Sequence, residues 1–168
     1  MIAGVILRNF KTYSGINYVP LSLGGRFCGL VGNNGIGKSS VLEALDSLFN
    51  GKDWNYNDIV KRSGFLVTRP HVVPVYFIEK TALSNEILIA SKISDVIWEI
   101  EESDIIYQNR EAFKIFKEQR DVLKRDFIQE DYYLIPIGVS NDSVPSLSFF
   151  NNKKMGESLF DDFDASVP

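Results

Sequence analysis

The stretch Gly32-Asn-Asn-Gly-Ile-Gly-Lys38-Ser39 decides the fold, because it fits the pattern G-x-x-x-x-G-K-[ST]. A short apolar run, 26–31, precedes it, and an amphipathic segment, 39–49, follows it. A buried strand, a glycine-rich loop and a helix, in that order, are the context that a phosphate-binding loop requires. The sequence therefore predicts an α/β fold built around such a loop.

Each residue type in this loop has a physical reason. Gly32, Gly35 and Gly37 let the backbone turn tightly and approach an anion without a clash from a Cβ atom. Successive backbone N–H groups, together with the start of the following helix, then form a nest for the anion. Lys38 would place its ammonium group on the β- and γ-phosphates, and Ser39 would offer its hydroxyl to Mg²⁺.

Two segments of the chain resemble the N-terminal region of SMC-like ABC ATPases, the family of SMC heads, RecF-type repair ATPases and OLD-type ATPases. The first is 5–13, with Asn-Phe-Lys after a strand, and the second is 29–45, with Asn34 in the loop and Ser-Ser-x-Leu-Glu-Ala-Leu after it. The similarity covers about the first 50 residues. It implies ATP and Mg²⁺ as ligands of the chain.

The resemblance also implies which residues contact the nucleotide. In the family, a basic residue after Asn-Phe reaches toward the phosphates, and Lys11 stands at that place. Asn34 would hold the loop or touch phosphate, although an asparagine that tolerates positive φ explains it equally well. Ser39 is the expected magnesium ligand, and no catalytic residue is assigned. The full set of predicted nucleotide-binding residues is Lys11, Asn33, Asn34, Gly35, Ile36, Gly37, Lys38, Ser39 and Ser40.

Two segments that the family needs are not found in the sequence. One is an apolar strand ending in Asp-Glu, since Glu130-Asp131 precedes a strand and Asp161-Asp162 follows too polar an approach. The other is a Ser-Gly-Gly signature that acts across a dimer. We therefore expect residues 1–168 to be the N-terminal part of one ABC-type ATPase domain, with an incomplete sheet. We also expect the chain alone to bind nucleotide weakly and to hydrolyse almost no ATP. Gln108, Gln119 and Gln129 lie in helical stretches and are not assigned as magnesium sensors.

The resemblance leaves two functions open. In the first, two heads trap ATP between them in a homodimer or higher homo-oligomer, and hydrolysis drives DNA repair, DNA clamping or an OLD-type nuclease. In the second, a nucleotide-sensing ATPase serves as the scaffold of a bacterial anti-phage defence complex and controls an effector protein. DNA and an effector protein are the further partners that these two functions would require.

Composition and charge bound the class of protein. A hydrophobic fraction of 45% fits an ordinary globular core, and no apolar run is long enough to span a membrane. Residues 1–52 hold five Lys or Arg against two Asp or Glu, whereas the rest of the chain holds thirteen against twenty. With a single cysteine, Cys28, and no signal-peptide pattern, a cytoplasmic location is expected.

Strand patterns appear on both sides of the loop. The segments 2–8 and 16–23 predict a pair of strands, 72–78 predicts a third, and 132–139 with 146–150 predict another pair around a turn at 140–145. Pro74 favours an edge position or a bulge for the third strand. The segment 87–89 would continue an antiparallel pair. The fold expected is thus a P-loop sheet, resembling the head of an ABC ATPase, beside an antiparallel β-subdomain.

Helical patterns occupy 39–49, 94–102 and 109–127, and the last two form a helical insertion at about 94–127. The helix after the loop should bury Val41, Leu42, Leu45, Leu48 and Phe49 and should end at Asn50 and Gly51. In the last helix Phe113, Phe116, Leu123 and Phe127 recur at helical spacing, with a weaker contact near Arg120.

Several conspicuous residues receive structural interpretations. His71 is expected on the surface or in packing, and Trp54 and Tyr56 are expected to pack against the domain or a partner. Lys117, Arg120, Lys124 and Arg125 are interleaved with acids, which favours a solvated helix face over a DNA contact. Residues 52–70 and the acidic tail from Glu157 are expected to be irregular.

Overall fold

The computed structural model describes residues 1–23, 25, 28–57, 70–83, 88–140, 145–147 and 150 of the 168-residue chain. Several sequence predictions concern positions outside these ranges. They are most of the irregular segment 52–70, the turn at 141–144, the acidic tail from Glu157 and the Asp161-Asp162 pair. The described residues do not test these predictions.

The sheet has five strands in the order β2-β1-β3-β4-β5, and each neighbouring pair is antiparallel. This arrangement confirms the strands predicted near 2–8, 16–23, 72–78, 132–139 and 146–150, with changes of a few residues at most of their ends. The strands are β1 (Ile2–Arg8), β2 (Ile16–Pro20), β3 (His71–Glu79), β4 (Tyr132–Ser140) and β5 (Pro145–Leu147). Residues 3–7 of β1 are all buried, so both faces of the sheet are covered there.

Three α-helices lie in the described ranges: α1 (Lys38–Asn50), α2 (Leu88–Glu99) and α3 (Arg110–Asp126). Short 3₁₀ turns lie at Lys80–Ala82, Glu102–Asp104, Tyr107–Asn109 and Gln129–Asp131. On one face of the sheet, α1 packs on a cluster that contains Val5, Leu7 and Val72. On the other face, α3 packs on a larger cluster that contains Ile6 and Val73. The strands therefore separate α1 from α3.

The position predicted for Pro74 is wrong in one respect. β3 lies at the centre of the sheet, between β1 and β4, and not at an edge. The proline is accommodated because β3 pairs with β4 at Val72 and again at Val75, with no pairing recorded between them. On the other side of β3, Pro74 pairs with Val5 of β1, and the register is irregular one step further, where Ile2 and Gly4 face Tyr76 and Val75. On the β4 side the proline thus lies in a gap of the ladder, where its missing N–H removes no pairing.

Residues 88 and 89 belong to α2, so the strand predicted at 87–89 is wrong for them, while residue 87 is outside the described ranges. The helix predicted at 94–102 is confirmed, but it begins earlier and ends at Glu99. Ser94 Oγ accepts a hydrogen bond of 2.9 Å from the Leu134 amide, and Trp98 Nε1 donates one of 3.4 Å to Tyr132 O. α2 therefore satisfies backbone groups of β4 where β5 does not reach.

The buried strand predicted at 26–31 is not seen at residues 28–31, which are irregular, while 26 and 27 lie outside the described ranges. Val31 is 93% exposed, and Leu30 is half-buried against the cluster beneath α1. A buried strand needs neighbouring strands on its backbone hydrogen-bonding groups. None of the described strands pairs with residues 28–31.

The helix predicted after the loop is confirmed as α1, and Gly51 ends it at a φ of 66°. Its buried face is only partly as predicted. Val41 is buried, and Leu45 and Leu48 are half-buried, but Leu42 is 62% exposed and Phe49 is 54% exposed. The residues of α1 that are buried against the sheet are small, and they allow the helix to pack close to the strands. The buried residues of α1 are Ser40, Val41, Ala44 and Ser47.

The solvated position predicted for Arg120 on α3 is wrong, because only 1% of this residue is exposed. Its Nη1 donates to Ile97 O at 3.1 Å and to Ile100 O at 2.6 Å, at the end of α2. Its Nη2 donates to Glu101 at 3.2 Å. The arginine thus supplies donors to carbonyl groups that a helix end leaves without partners.

Candidate functional site

The loop 32–37 lies between the irregular residues 28–31 and the start of α1, and nearly all of it is exposed. Gly35 has a φ of 86° and Gly37 a φ of 97°, in the left-handed region that favours glycine. A Cβ atom at Gly37 would lie 2.8 Å from Thr12 Oγ1. Both glycines are therefore required by backbone conformation, and Gly37 is required by a close neighbour as well.

The start of α1 carries the positive end of a helix dipole. The helix begins at Lys38, no side chain in the described ranges caps it at Gly37, and its first turn contains no acidic residue. The first N–H groups of a helix have no partner within the helix itself. This end of α1 is therefore suited to an anion.

Lys38 holds its ammonium group over the loop. The Nζ atom donates to Gly32 O and to Asn33 O, each at 2.6 Å. These carbonyl groups belong to the stretch that would wrap around a phosphate. Ser39 lies in the first turn of α1, directly after the loop, and is exposed.

The turn between β1 and β2 packs against this loop. Asn9 and Lys11 have φ values of 53° and 47°, and Asn9 Oδ1 accepts a 2.9 Å hydrogen bond from the Gly15 amide. Tyr13 donates its hydroxyl to Gly37 O at 3.4 Å, close to the distance limit of a hydrogen bond. The segment that carries the Asn-Phe-Lys motif and the phosphate-binding loop are therefore neighbours in space, although more than twenty residues separate them.

Lys11 lies on the side of α1 and not over the loop. Its N–H donates to Asn55 O at 3.0 Å, and its carbonyl accepts from Asn57 Nδ2 at 2.5 Å. Its ammonium group forms an ion pair with Glu43 Oε2. The structure therefore brings Lys11 to the helix of the loop, with a carboxylate as its partner.

Three residues near the loop were not predicted from sequence: Thr12, Tyr13 and Glu43. The first two directly follow Lys11, so the motif itself could have indicated them. Glu43 is four residues after Ser39, which places both on one face of α1. Thr12 Oγ1 lies 3.3 Å from the hydroxyl of Ser40, one of the predicted binding residues.

Other conspicuous residues have packing roles. Trp54 packs edge to face on Phe10, with ring centroids 6.3 Å apart, and contributes to the cluster beneath α1. Tyr56 forms an isolated β-bridge with Phe10. The packing interpretation of both aromatic residues agrees with these contacts. Asn34 is exposed, and it is not among the described non-glycine residues with positive φ, so the explanation of this asparagine by positive φ is wrong. Its contact with the loop or with phosphate stays a prediction.

His71 is buried at the first position of β3, opposite Arg8 of β1. Burial, with a smaller contribution from the nearby Arg8 charge, lowers the pKa of His71 to about 4. Its Nε2 atom has no hydrogen-bond partner among the residues that the structure describes. The histidine is therefore neutral near pH 7 and has the packing role expected for it.

The residues fit a magnesium–nucleotide complex better than a bare metal ion. Within the described part of the chain, no group of three or more His, Cys, Asp or Glu side chains could hold a metal. The exposed glycine loop, the helix start and Lys38 offer donors for phosphate oxygens instead. Mg²⁺ commonly binds through substrate phosphates and one or two protein oxygens. Ser39, which is exposed at the start of α1, stays the residue predicted to provide one of these oxygens.

None of the described helices is both long enough and apolar enough to cross a membrane. Residues 1–136, about four fifths of the chain, match the family model described as AAA ATPase domain. This match indicates an ATP-binding and ATP-hydrolysing protein with a P-loop. No curated protein and no solved structure matches the chain. The chain belongs to the AAA ATPase domain family.

Proposed function

We propose that the chain is the ATP-binding part of an ATPase head of the SMC, RecF or OLD type. One observation carries this proposal: the Asn-Phe-Lys turn lies directly on the helix of the phosphate-binding loop, with Tyr13 at Gly37 and Thr12 at Ser40. The two segments that carry the resemblance are far apart in sequence, and their contact gives it a structural basis.

The residues of the loop have distinct roles in this proposal. The amide groups of 33–37 and the start of α1 bind phosphate oxygens, and Lys38 neutralises their charge. Ser39 binds Mg²⁺, which the phosphates hold in turn, and Ser40 supports the turn through Thr12. Lys11 reaches the phosphates from the side of α1. The bound Mg²⁺ supplies charge neutralisation during phosphoryl transfer.

In our proposal, hydrolysis also needs two elements outside this site. One is an Asp-Glu strand, and the other is the signature of a second head in a homodimer or higher homo-oligomer. Phosphoryl transfer depends on positioning and charge neutralisation, and a group supplied in trans can change the rate by ~10³ to 10⁵. Three apolar side chains in or near the loop are exposed, namely Val31, Ile36 and Leu42. Their exposure supports the proposal that a second protein surface packs on this part of the chain.

The proposed work of the ATPase is DNA processing, namely repair, clamping or an OLD-type nuclease, in the cytoplasm. Its support is the resemblance and the excess of basic residues in 1–52. One observation favours the alternative, an ATPase scaffold of an anti-phage defence complex that controls an effector protein. Outside 1–52 acidic residues exceed basic ones by twenty to thirteen, which suits a protein partner better than DNA.

Turnover by the purified chain tests the enzymatic part of this proposal. We expect almost no phosphate release from Mg-ATP, both in the wild type and in Lys38→Ala, because the trans groups are lacking. Turnover that is appreciable in the wild type and lost in Lys38→Ala would contradict the need for an Asp-Glu strand and a signature that are not found in this sequence. Binding to duplex DNA at two salt concentrations separates the two functions, since phosphate contacts weaken steeply as salt rises.

A further inference from the structure

Three successive residues of the turn contact α1 at positions three residues apart. This spacing is close to one helical turn, so the turn runs along one face of α1, toward the phosphate-binding loop. The contacts are Lys11 with Glu43, Thr12 with Ser40, and Tyr13 with Gly37.

Lys11 is at the far end of this row of contacts. At 1.5 Å per residue, Glu43 lies about 9 Å along the helix axis from Gly37, where the loop ends. The ion pair therefore holds the ammonium group of Lys11 beside the body of α1, away from the amide groups of the loop.

The backbone of Lys11 is fixed, whereas its side chain has room to move. Hydrogen bonds with Asn55 and Asn57 hold the main chain on both sides of the residue. The side chains of Lys11 and Glu43 are 33% and 43% exposed, so the ion pair is open to water. A four-carbon side chain that starts from a fixed Cα atom can turn from Glu43 toward the loop.

We propose that Glu43 is a positioning residue that competes with bound nucleotide for the ammonium group of Lys11. This inference rests on the proposed function and adds to it a residue that controls nucleotide affinity. Binding of the triphosphate then requires Lys11 to exchange a carboxylate for phosphate oxygens. Glu43 thereby weakens nucleotide binding by the free energy that its exposed ion pair with Lys11 contributes.

Calorimetric titration of the full chain with Mg-ATP tests this inference. Glu43→Gln frees Lys11, and we expect it to tighten binding about two- to five-fold at low salt, the range that exposed ion pairs give. Asp46→Asn is the matched control, because it removes one negative charge from the same helix. The carboxylate of Asp46 accepts a hydrogen bond from Asn50 and not from Lys11. We expect this control to leave the affinity unchanged.

A double variant shows whether the effect passes through Lys11. In the Lys11→Ala background, Glu43→Gln should no longer tighten binding, since there is no ammonium group to release. Thermal melts of all variants verify that they are folded. Unchanged or weaker binding by Glu43→Gln, in a chain whose binding still depends on Lys38, would overturn this inference alone. A wild-type chain with no Lys38-dependent binding would overturn both this inference and the proposed function.

Discussion

Basic side chains have different kinds of partner on the two faces of the sheet. At the loop, Lys38 and Lys11 are at least partly exposed, and they contact loop carbonyls and Glu43, respectively. On the face of the sheet that carries α3, Arg120 is buried and donates to the carbonyl groups at the end of α2. An exposed lysine can exchange its partner for a ligand at small cost, whereas a buried arginine cannot leave its partners. The lysines beside α1 are therefore suited to binding a ligand, whereas Arg120 holds α2 and α3 together.

Arg120→Ala should produce the largest loss of stability. It leaves the carbonyl groups of Ile97 and Ile100 without their donors and removes a side chain that packs near Phe113 and Phe116. We expect the free energy of unfolding to fall by about 3–5 kcal/mol. Urea denaturation followed by tryptophan fluorescence measures it.

Arg125→Ala is the control for this comparison. Arg125 is exposed and pairs only with its neighbour Asp126 among the contacts recorded for it. We expect no measurable change in the free energy of unfolding, because an ion pair between exposed side chains contributes little. Equal losses in the two variants would mean that the burial of Arg120 has no energetic consequence.

His71 gives the next effect, which depends on pH. Its folded-state pKa of about 4 lies below the ordinary value of 6.5, so the unfolded chain takes up a proton first as pH falls. The stability that depends on neutral His71 is complete above about pH 6.5. It is lost progressively as pH falls from 6.5 to about 4, and the total loss is roughly 2–3 kcal/mol.

Urea denaturation at a series of pH values, compared between the wild type and His71→Gln, isolates this contribution. The glutamine variant lacks the titrating group, so the difference in unfolding free energy between the two proteins should change across this interval. Parallel pH profiles for the two proteins would show that His71 titrates normally in the folded chain.

Gly37→Ala should give the smallest of the three effects on stability. Alanine is strained at a φ of 97°, and its Cβ would lie 2.8 Å from Thr12 Oγ1. We expect a loss of about 1–2 kcal/mol. Gly51→Ala is matched in its left-handed conformation, but no atom lies within 4 Å of the added Cβ. We therefore expect Gly51→Ala to lower the free energy of unfolding less than Gly37→Ala does. An equal or larger loss would show that Thr12 does not clash with the Cβ atom added at position 37.

The sequence was a good guide where local chemistry sets the structure. The loop pattern requires glycine at positions of positive φ, and Gly35 and Gly37 have this conformation. The helix after the loop ends at Gly51 as expected, and the strands around 2–8 and 132–139 follow their apolar patterns. These features depend on neighbours in the chain, which a sequence shows directly.

The sequence was a poor guide where distant segments set the structure. The partners of Arg120 come from the end of α2, about twenty residues away, so its interleaved acids suggested a solvated face instead. Pro74 is at the centre of the sheet because β4 leaves a gap in the pairing at that point. The ion pair of Glu43 with Lys11 was not predicted, because only the fold brings the turn of Lys11 onto α1.

The most direct measurement is calorimetric titration of Mg-ATP into the wild-type chain and into Lys38→Ala, with thermal melts to verify that both are folded. The account predicts saturable binding by the wild type. It also predicts an affinity about 10- to 100-fold weaker in the variant, because a charge-assisted contact to phosphate is lost. A wild-type titration without binding heat, or equal affinities for the two proteins, would contradict the claim that this loop binds a nucleotide.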